Sequence, residues 1–167
     1  KMQSPLSSGL WFLYPVAMND RNRPQITSEV TEGVCRLLYH HRMACLTELR
    51  LGNGRRLDVL ALGEKGDLWA VEVKSSVEDF RVDQKWESYL DYCDRFFFAV
   101  PMEFPRDLIP VDVGLIVADR FEAAIVRAAP EPDRKLSAAR RKKLLISFGR
   151  TAAGRMTPEA DSEIFVL

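Results

Sequence analysis

Between Ala44 and Val100 the chain carries four short apolar segments, and the spacing inside each predicts what it forms. Ala44–Leu51, Leu57–Leu62 and Leu68–Lys74 are all of strand length. Gly52-Asn53-Gly54 and Gly63-Glu64-Lys65-Gly66-Asp67 separate them, which predicts a three-stranded meander. In the third segment Trp69, Val71 and Val73 share one face, while Leu68, Ala70, Glu72 and Lys74 share the other. Apolar residues on both faces predict a sheet covered on both sides, with polar groups only toward one end. Phe96-Phe97-Phe98-Ala99-Val100, stopped by Pro101, has the uninterrupted apolar character of a fully buried strand.

Helical spacing brackets the meander. Pro24 ends an extended segment, and Thr27 or Ser28 offers an N-cap, followed by acidic Glu29 and Glu32. Ile26, Val30, Val34, Leu37 and Leu38 form the buried stripe of a helix of about four turns. His40 and His41 close it as structural or solvated residues. Ser75-Ser76 is expected to cap a second helix, with Phe80, Val82, Trp86, Tyr89, Leu90 and Cys93 on its buried side. Val113–Val117 and Ala123–Val126 predict a closing pair of short strands. After the breaker Pro130-Glu131-Pro132-Asp133, a basic helix is expected over Leu136–Ser147, then a loosely held tail from Thr151. The order α-β-β-β-α-β, followed by small strands and a terminal helix, belongs to an α/β domain with a mixed sheet.

Composition narrows the picture. At 167 residues, 47% of them hydrophobic, the chain is expected to form one domain over residues 25–150. Residues 1–24 are expected to be an extension and 151–167 a tail. Within the extension, apolar Leu10–Ala17 fits an added leader, with Met18 a plausible start, or an arm that packs on the domain or on a partner. The formal net charge is zero, so any contact with nucleic acid must come from a local patch. Cys35, Cys45 and Cys93 lack metal-ligand spacing and read as reduced core thiols of a cytoplasmic protein. The apolar runs are too short to cross a bilayer, so no membrane association is expected.

The chemistry concentrates in the meander. If the second turn is symmetric about Lys65, Asp58 falls opposite Glu72; if the first is symmetric about Asn53, Glu48 falls opposite Asp58. The three carboxylates then form one row on one face, with directly opposed Cβ atoms roughly 5 Å apart. Carboxylates that close repel one another, and a hard divalent cation relieves the repulsion. Mg²⁺, with Mn²⁺ as a substitute, would be held by Asp58 and Glu72, with the Val73 carbonyl and Glu48 as further donors. Such an ion can activate water and neutralise charge on a scissile phosphate. Lys74 shares the face of Glu72 and can hold the attacking water. The competing interpretation is a set of solvent-facing charges near strand ends, with Lys74 pairing Glu72. Glu29 and Glu32 are weaker candidates for a further ligand.

Leu57-Asp58 followed by Glu72-Val73-Lys74, on a hairpin after a first helix, resembles the PD-(D/E)xK nuclease superfamily. Leu57 stands where the motif is named for a proline that is not a ligand. The resemblance implies a restriction-endonuclease-like core, a mixed central sheet flanked by helices on both faces, with Asp58, Glu72 and Lys74 catalytic. It also implies a glutamine near the start of the second core helix, where Gln84 and Lys85 both lie. Further pieces are similar to MmcB-type bacterial DNA repair proteins: Gly54-Arg55-Arg56-Leu57-Asp58, Val71–Ser76, Asp79-Phe80-Arg81, Lys85-Trp86, Tyr92–Pro101 and Ala139–Lys142. That resemblance implies a role in DNA repair or damage tolerance, with metal-dependent endonuclease activity following from the fold.

Phosphate contacts would come from Arg55, Arg56, Arg81 and Lys85 near the site, and from Arg140, Arg141, Lys142 and Lys143 on the late helix. The partner is expected to be DNA, whether branched, damaged or single-stranded, with other repair proteins and a homodimer also compatible. A non-catalytic binding module on the same fold and an RNA nuclease are the rival readings.

Overall fold

The computed structural model describes residues 22–82, 85–131 and 135–157. The Leu10–Ala17 stretch, Gln84 and the last ten residues expected as tail lie outside that set.

Helix α1 spans Arg23–His40 and starts earlier than the Thr27–Ser28 cap offered by the sequence. Asn22 caps it by accepting the Gln25 N–H at 3.0 Å. Pro24 sits in the first turn, where its missing N–H has no intrahelical acceptor to lose. The meander follows as β1 (Ala44–Arg50), β2 (Arg56–Leu62) and β3 (Leu68–Val73). Next come the short helix α2 (Val77–Val82), a 3₁₀ helix (Trp86–Tyr92) and β4 (Arg95–Val100). The chain then forms β5 (Gly114–Ala118), β6 (Ala123–Arg127) and the terminal helix α3 (Ala138–Met156).

All six strands join one mixed sheet in sequential order, β1 to β6. The meander pairs are antiparallel, β3–β4 and β4–β5 are parallel, and β5–β6 is antiparallel. Each face carries its own core. On one, Val59, Val71, Phe97 and Ile116 pack against Val30, Val34 and Leu38 of α1. On the other, Leu46, Leu49, Leu57, Leu60, Phe96 and Phe98 pack against Leu144 and Phe148 of α3 and Tyr89 of the 3₁₀ helix. The sheet is thus sandwiched by helices, as its doubly apolar strands require.

Two expectations need correction. The second helix does not continue to Cys93: it stops at Val82, and the chain resumes as the tighter 3₁₀ turn. A stripe with a period of 3.6 residues loses phase across that break. Phe80, Trp86, Tyr89 and Cys93 pack on the core, but Val82 is 86% exposed and Leu90 is 43% exposed. The terminal helix also runs past Thr151. Arg155 near its end donates to the Thr47 carbonyl at 2.7 Å, fastening that segment to β1.

Helix α1 approaches the β5–β6 turn closely at Gly33. A methyl group there would run into the Asp119 carbonyl, while Arg36 donates to the carbonyls of Arg120 and Phe121 at 2.7 and 3.0 Å. Gly33→Ala must push helix and turn apart. It is expected to cost about 1–3 kcal/mol, read as a lower midpoint in denaturant with an unchanged slope.

Candidate metal centre

The hairpin register is the one its turns imply: Val59 pairs with Val71, and Leu49 pairs with Leu57. Pairing of β2 with β3 stops at Val59/Val71, and Asp58 takes over beyond it. Its Oδ2 accepts the Val73 N–H at 2.8 Å, in the position a β2 carbonyl would occupy if the ladder continued. Val73 lies between Glu72 and Lys74, so this bond ties Asp58 to both. Glu72 and Lys74 are 6% and 3% exposed, and Lys74 Nζ lies 3.3 Å from Glu72 Oε1. Lys74 also lies close enough to Asp58 for its charge to act on that carboxyl. The structure therefore brings Asp58, Glu72, Val73 and Lys74 together at one end of β3.

Glu48 is placed differently from the expected row. Its backbone is left-handed, with φ 53°, and the Glu48/Asp58 pair is missing from the ladder although the register is the same on either side. The turn of the strand there sends Leu46 and Leu49, three residues apart, into the same core. The Glu48 carboxylate pairs with exposed Arg56 at 3.3 Å. Among the described residues no three of His, Cys, Asp and Glu are gathered closely enough to hold a metal. The donor set on offer is consequently two carboxylates and a main-chain carbonyl, from Asp58, Glu72 and Val73. All are hard oxygen donors, the type that suits Mg²⁺, whose remaining positions are commonly filled by water and substrate phosphate.

Asp58 opens into a cleft of about 670 Å³ between the start of α1 and the end of the meander. Thr27, Ser28 and Thr31 of α1 form one wall, and Thr47, Ser75 and Asp79 belong to the other. Carboxylates dominate its charge: Glu32, Glu48, Asp58 and Asp79 stand against Arg23. Burial pushes the Asp58 carboxyl above its ordinary range, and the nearby Asp79 adds to this. The Val73 N–H and the charges of Lys74 and Arg56 oppose the shift without cancelling it.

Asp79 is the residue that sequence reasoning missed. Its carboxylate accepts the Ser75 N–H at 3.1 Å, and its own N–H is capped by Ser76 Oγ at 3.2 Å. The Ser-x-x-Asp spacing from Ser76 to Asp79 is a helix-start pattern and was the available signal. These bonds fix the chain where it leaves Lys74.

The basic residues divide into two groups. At the site end, Arg55 donates to the Lys85 carbonyl at 2.9 Å, Arg56 pairs with Glu48, and Arg81 is exposed on α2. Arg141 lies at the other end of β3. It grips Asp94 through two bonds of 2.6 and 2.8 Å and donates to the Gly66 carbonyl at 2.7 Å. Arg140 reaches the Asp91 carbonyl and stacks over Tyr92, with 5.2 Å to the ring centroid. Both residues, expected to hold phosphate, make contacts that dock α3 on the domain. Lys142 and Lys143 share that helix.

A family model described as DNA repair protein MmcB-like matches residues 14–163. The solved structure of the SPO1766 protein of unknown function from Silicibacter pomeroyi is similar, with a TM-score of 0.78 and 44% identity. The match covers 85% of this chain and 98% of that one. No curated protein matches the chain. No helix among the described residues is long and apolar enough to cross a membrane.

The raised Asp58 carboxyl has a consequence for stability. The folded protein holds that proton to higher pH than the unfolded chain does, so folding loses stability as pH rises from the unfolded value through the folded one. Above that window the buried charge is a standing cost. Asp58→Asn keeps an oxygen for the Val73 N–H and removes the charge. Its thermal midpoint should exceed that of the parent at neutral pH, and the difference should shrink as pH falls through the Asp58 titration. A variant less stable than the parent at neutral pH would contradict this account.

Proposed function

The chain belongs to the MmcB-like family of DNA repair proteins, and from that premise we propose that it is a divalent-metal-dependent nuclease that hydrolyses DNA phosphodiester bonds. The observation that carries the proposal is the Val73 N–H bound to Asp58 Oδ2, with Glu72 and Lys74 on either side of it. An acidic residue on one strand joined to Glu-x-Lys on its hairpin partner is the constellation of the PD-(D/E)xK, restriction-endonuclease-like fold. The mixed sheet with helices on both faces is compatible with that fold.

In this reading Asp58, Glu72 and the Val73 carbonyl would hold Mg²⁺ or Mn²⁺, which when bound would supply an activated water and charge neutralisation at a scissile phosphate. Lys74 orients the water and stabilises the developing negative charge, and its burial keeps its ammonium from being screened. Asp79 holds the turn after Lys74 and so fixes the position of the ammonium. The acidic cleft favours a cation over a bare phosphate backbone. Arg55, Arg56, Arg81 and Lys85, at the same end of the domain, are the residues to hold the strand.

A second reading rests on the burial of Glu72 and Lys74. Their charges compensate each other without any ion, as they would in a DNA- or partner-binding module that keeps the fold but not the catalysis.

Branched, nicked, single-stranded and duplex DNA, with RNA alongside, incubated in Mg²⁺ or Mn²⁺ distinguish these readings. Cleavage is expected, and Glu72→Ala and Lys74→Ala should each reduce it on the order of 100-fold or more. Cleavage indifferent to both substitutions removes the site assignment. Binding of DNA without cleavage in either metal supports the second reading. Metal binding has its own readout: Mn²⁺ at about ten times its dissociation constant should stabilise the protein by roughly 1.4 kcal/mol. Glu72→Ala should abolish that gain.

A further inference from the structure

The sheet has two edges, β1 and β6, and they are finished differently. At β1, Arg155 of α3 donates to the Thr47 carbonyl at 2.7 Å, and Glu48 turns the strand through a left-handed backbone. A bound side chain and a kink blunt that edge. Strand β6 reads Ala-Ala-Ile-Val-Arg, with no proline and no charge before Arg127. The Asp119 N–H donates to the Glu122 carbonyl at 2.9 Å, so Glu122 belongs to a hydrogen-bonded pair across the β5–β6 hairpin. Antiparallel pairs alternate, which turns the main-chain N–H and C=O of Ala123 and Ile125 away from β5. Among the described residues no strand takes them up. The register shift against β5 falls beyond Ile125 and leaves these groups in line. The cation at the end of the strand does not guard the edge, because Arg127 donates to the carbonyls of Val113 and Pro110 at 2.9 and 2.6 Å.

We propose that β6 pairs antiparallel with β6 of a second copy of this chain, about a two-fold axis at Ile125, and joins two six-stranded sheets into one. The inference does not depend on nuclease activity. The strand is self-complementary in that register. Ile125 meets Ile125 of the other copy, and the two exchange both main-chain hydrogen bonds. Ala124 of one copy faces Val126 of the other, so each exposed valine lies over a small residue. Arg127 faces Ala123, and Glu122 falls one position from Arg127 of the other copy. Opposite charges therefore adjoin, and like charges are not opposed.

The ends of the strand fit the same arrangement. Antiparallel pairing brings the β5–β6 turn of one copy to the Arg127 end of the other. Phe121 in that turn is exposed, and Arg127 pins a connection in which Leu108 and Val111 are exposed. Two apolar surfaces that face water in the single chain thus come together. A chain of zero net charge meets no overall repulsion from its copy. The interface is isologous and closes at two subunits, since pairing uses the β6 edge of each.

The test is the mass of the full chain in solution, by sedimentation equilibrium over a concentration series. The parent should show twice the mass of one chain. Ala124→Lys combined with Val126→Lys sets like charges opposite each other at both crossings, and should raise the dimer dissociation constant at least ~10-fold. Ala124→Glu combined with Val126→Lys sets opposite charges at the same places and should recover the dimer. Both positions are exposed in the single chain, so circular dichroism of both variants should match the parent and show that they fold. Three outcomes overturn the proposal: a parent that keeps the mass of one chain throughout, a dimer that the paired lysines leave intact, or a folded charge-paired variant that stays monomeric.

Discussion

The hydrogen bond from the Val73 N–H to Asp58 Oδ2 is the constraint on which the end of the meander depends. Alternate amides of β3 point to opposite neighbours, and Lys74 N–H already bonds the Ala99 carbonyl of β4. The Val73 amide therefore faces β2, where the ladder has ended at Val59. A buried amide needs an acceptor. A side chain supplies it, and that frees the two strands to separate just where Glu72 and Lys74 begin. One carboxylate thus completes the backbone accounting of a central strand and fixes the geometry of the polar cluster.

The electrostatics follow from the same placement. Glu72 and Lys74 leave water almost completely, and their contact offsets part of what each loses in hydration. Asp58 has less compensation. It is desolvated, sits near Asp79, and holds its proton more tightly than a free aspartate would. Groups kept against their preferred ionisation are where a bound cation gains most, and such arrangements concentrate at functional sites. Structural ion pairs can perturb titration in the same way. The proposed metal draws on the hard oxygen donors of Asp58, Glu72 and Val73, of which Asp58 opens into the acidic cleft, as well as on the titration.

Much of this geometry was legible in the chain. Glycine-bounded turns and strand alternation gave the meander its register, and the apolar run from Phe96 to Val100 identified the buried strand. Pro24 reads from sequence as the end of an extended segment, whereas a proline in the first turn of a helix loses no hydrogen bond. The second helix was overextended because a 3.6-residue stripe was carried across a change to 3₁₀ geometry. Glu48 looked like a third member of the row because strict alternation was assumed. Leu46 and Leu49, three residues apart and both apolar, already conflicted with that assumption. Arg141 could not have been assigned from its neighbours, since its partner Asp94 lies 47 residues away in sequence.

The arginines show why a count of basic residues is a poor guide to a phosphate-binding surface. Arg141 and Asp94 form a partly buried, two-pronged pair. Burial alone would raise the Asp94 carboxyl, but the Arg141 guanidinium and the Leu68 N–H hold it below the ordinary carboxylate range. Moving Arg141 to a phosphate would strand Asp94 and remove one of the contacts that dock the start of α3. Arg56–Glu48 and Arg23–Glu78 are exposed pairs at 3.3 and 3.5 Å. Such pairs typically contribute about 0–1 kcal/mol, so a phosphate can replace the carboxylate at little cost. In a chain with no net charge, the residues able to turn toward a nucleic acid are those whose present partners hold them weakly. By that criterion the surface to consider is the cleft end of the domain, around Arg23, Arg56 and Arg81, and not the arginine-rich start of α3.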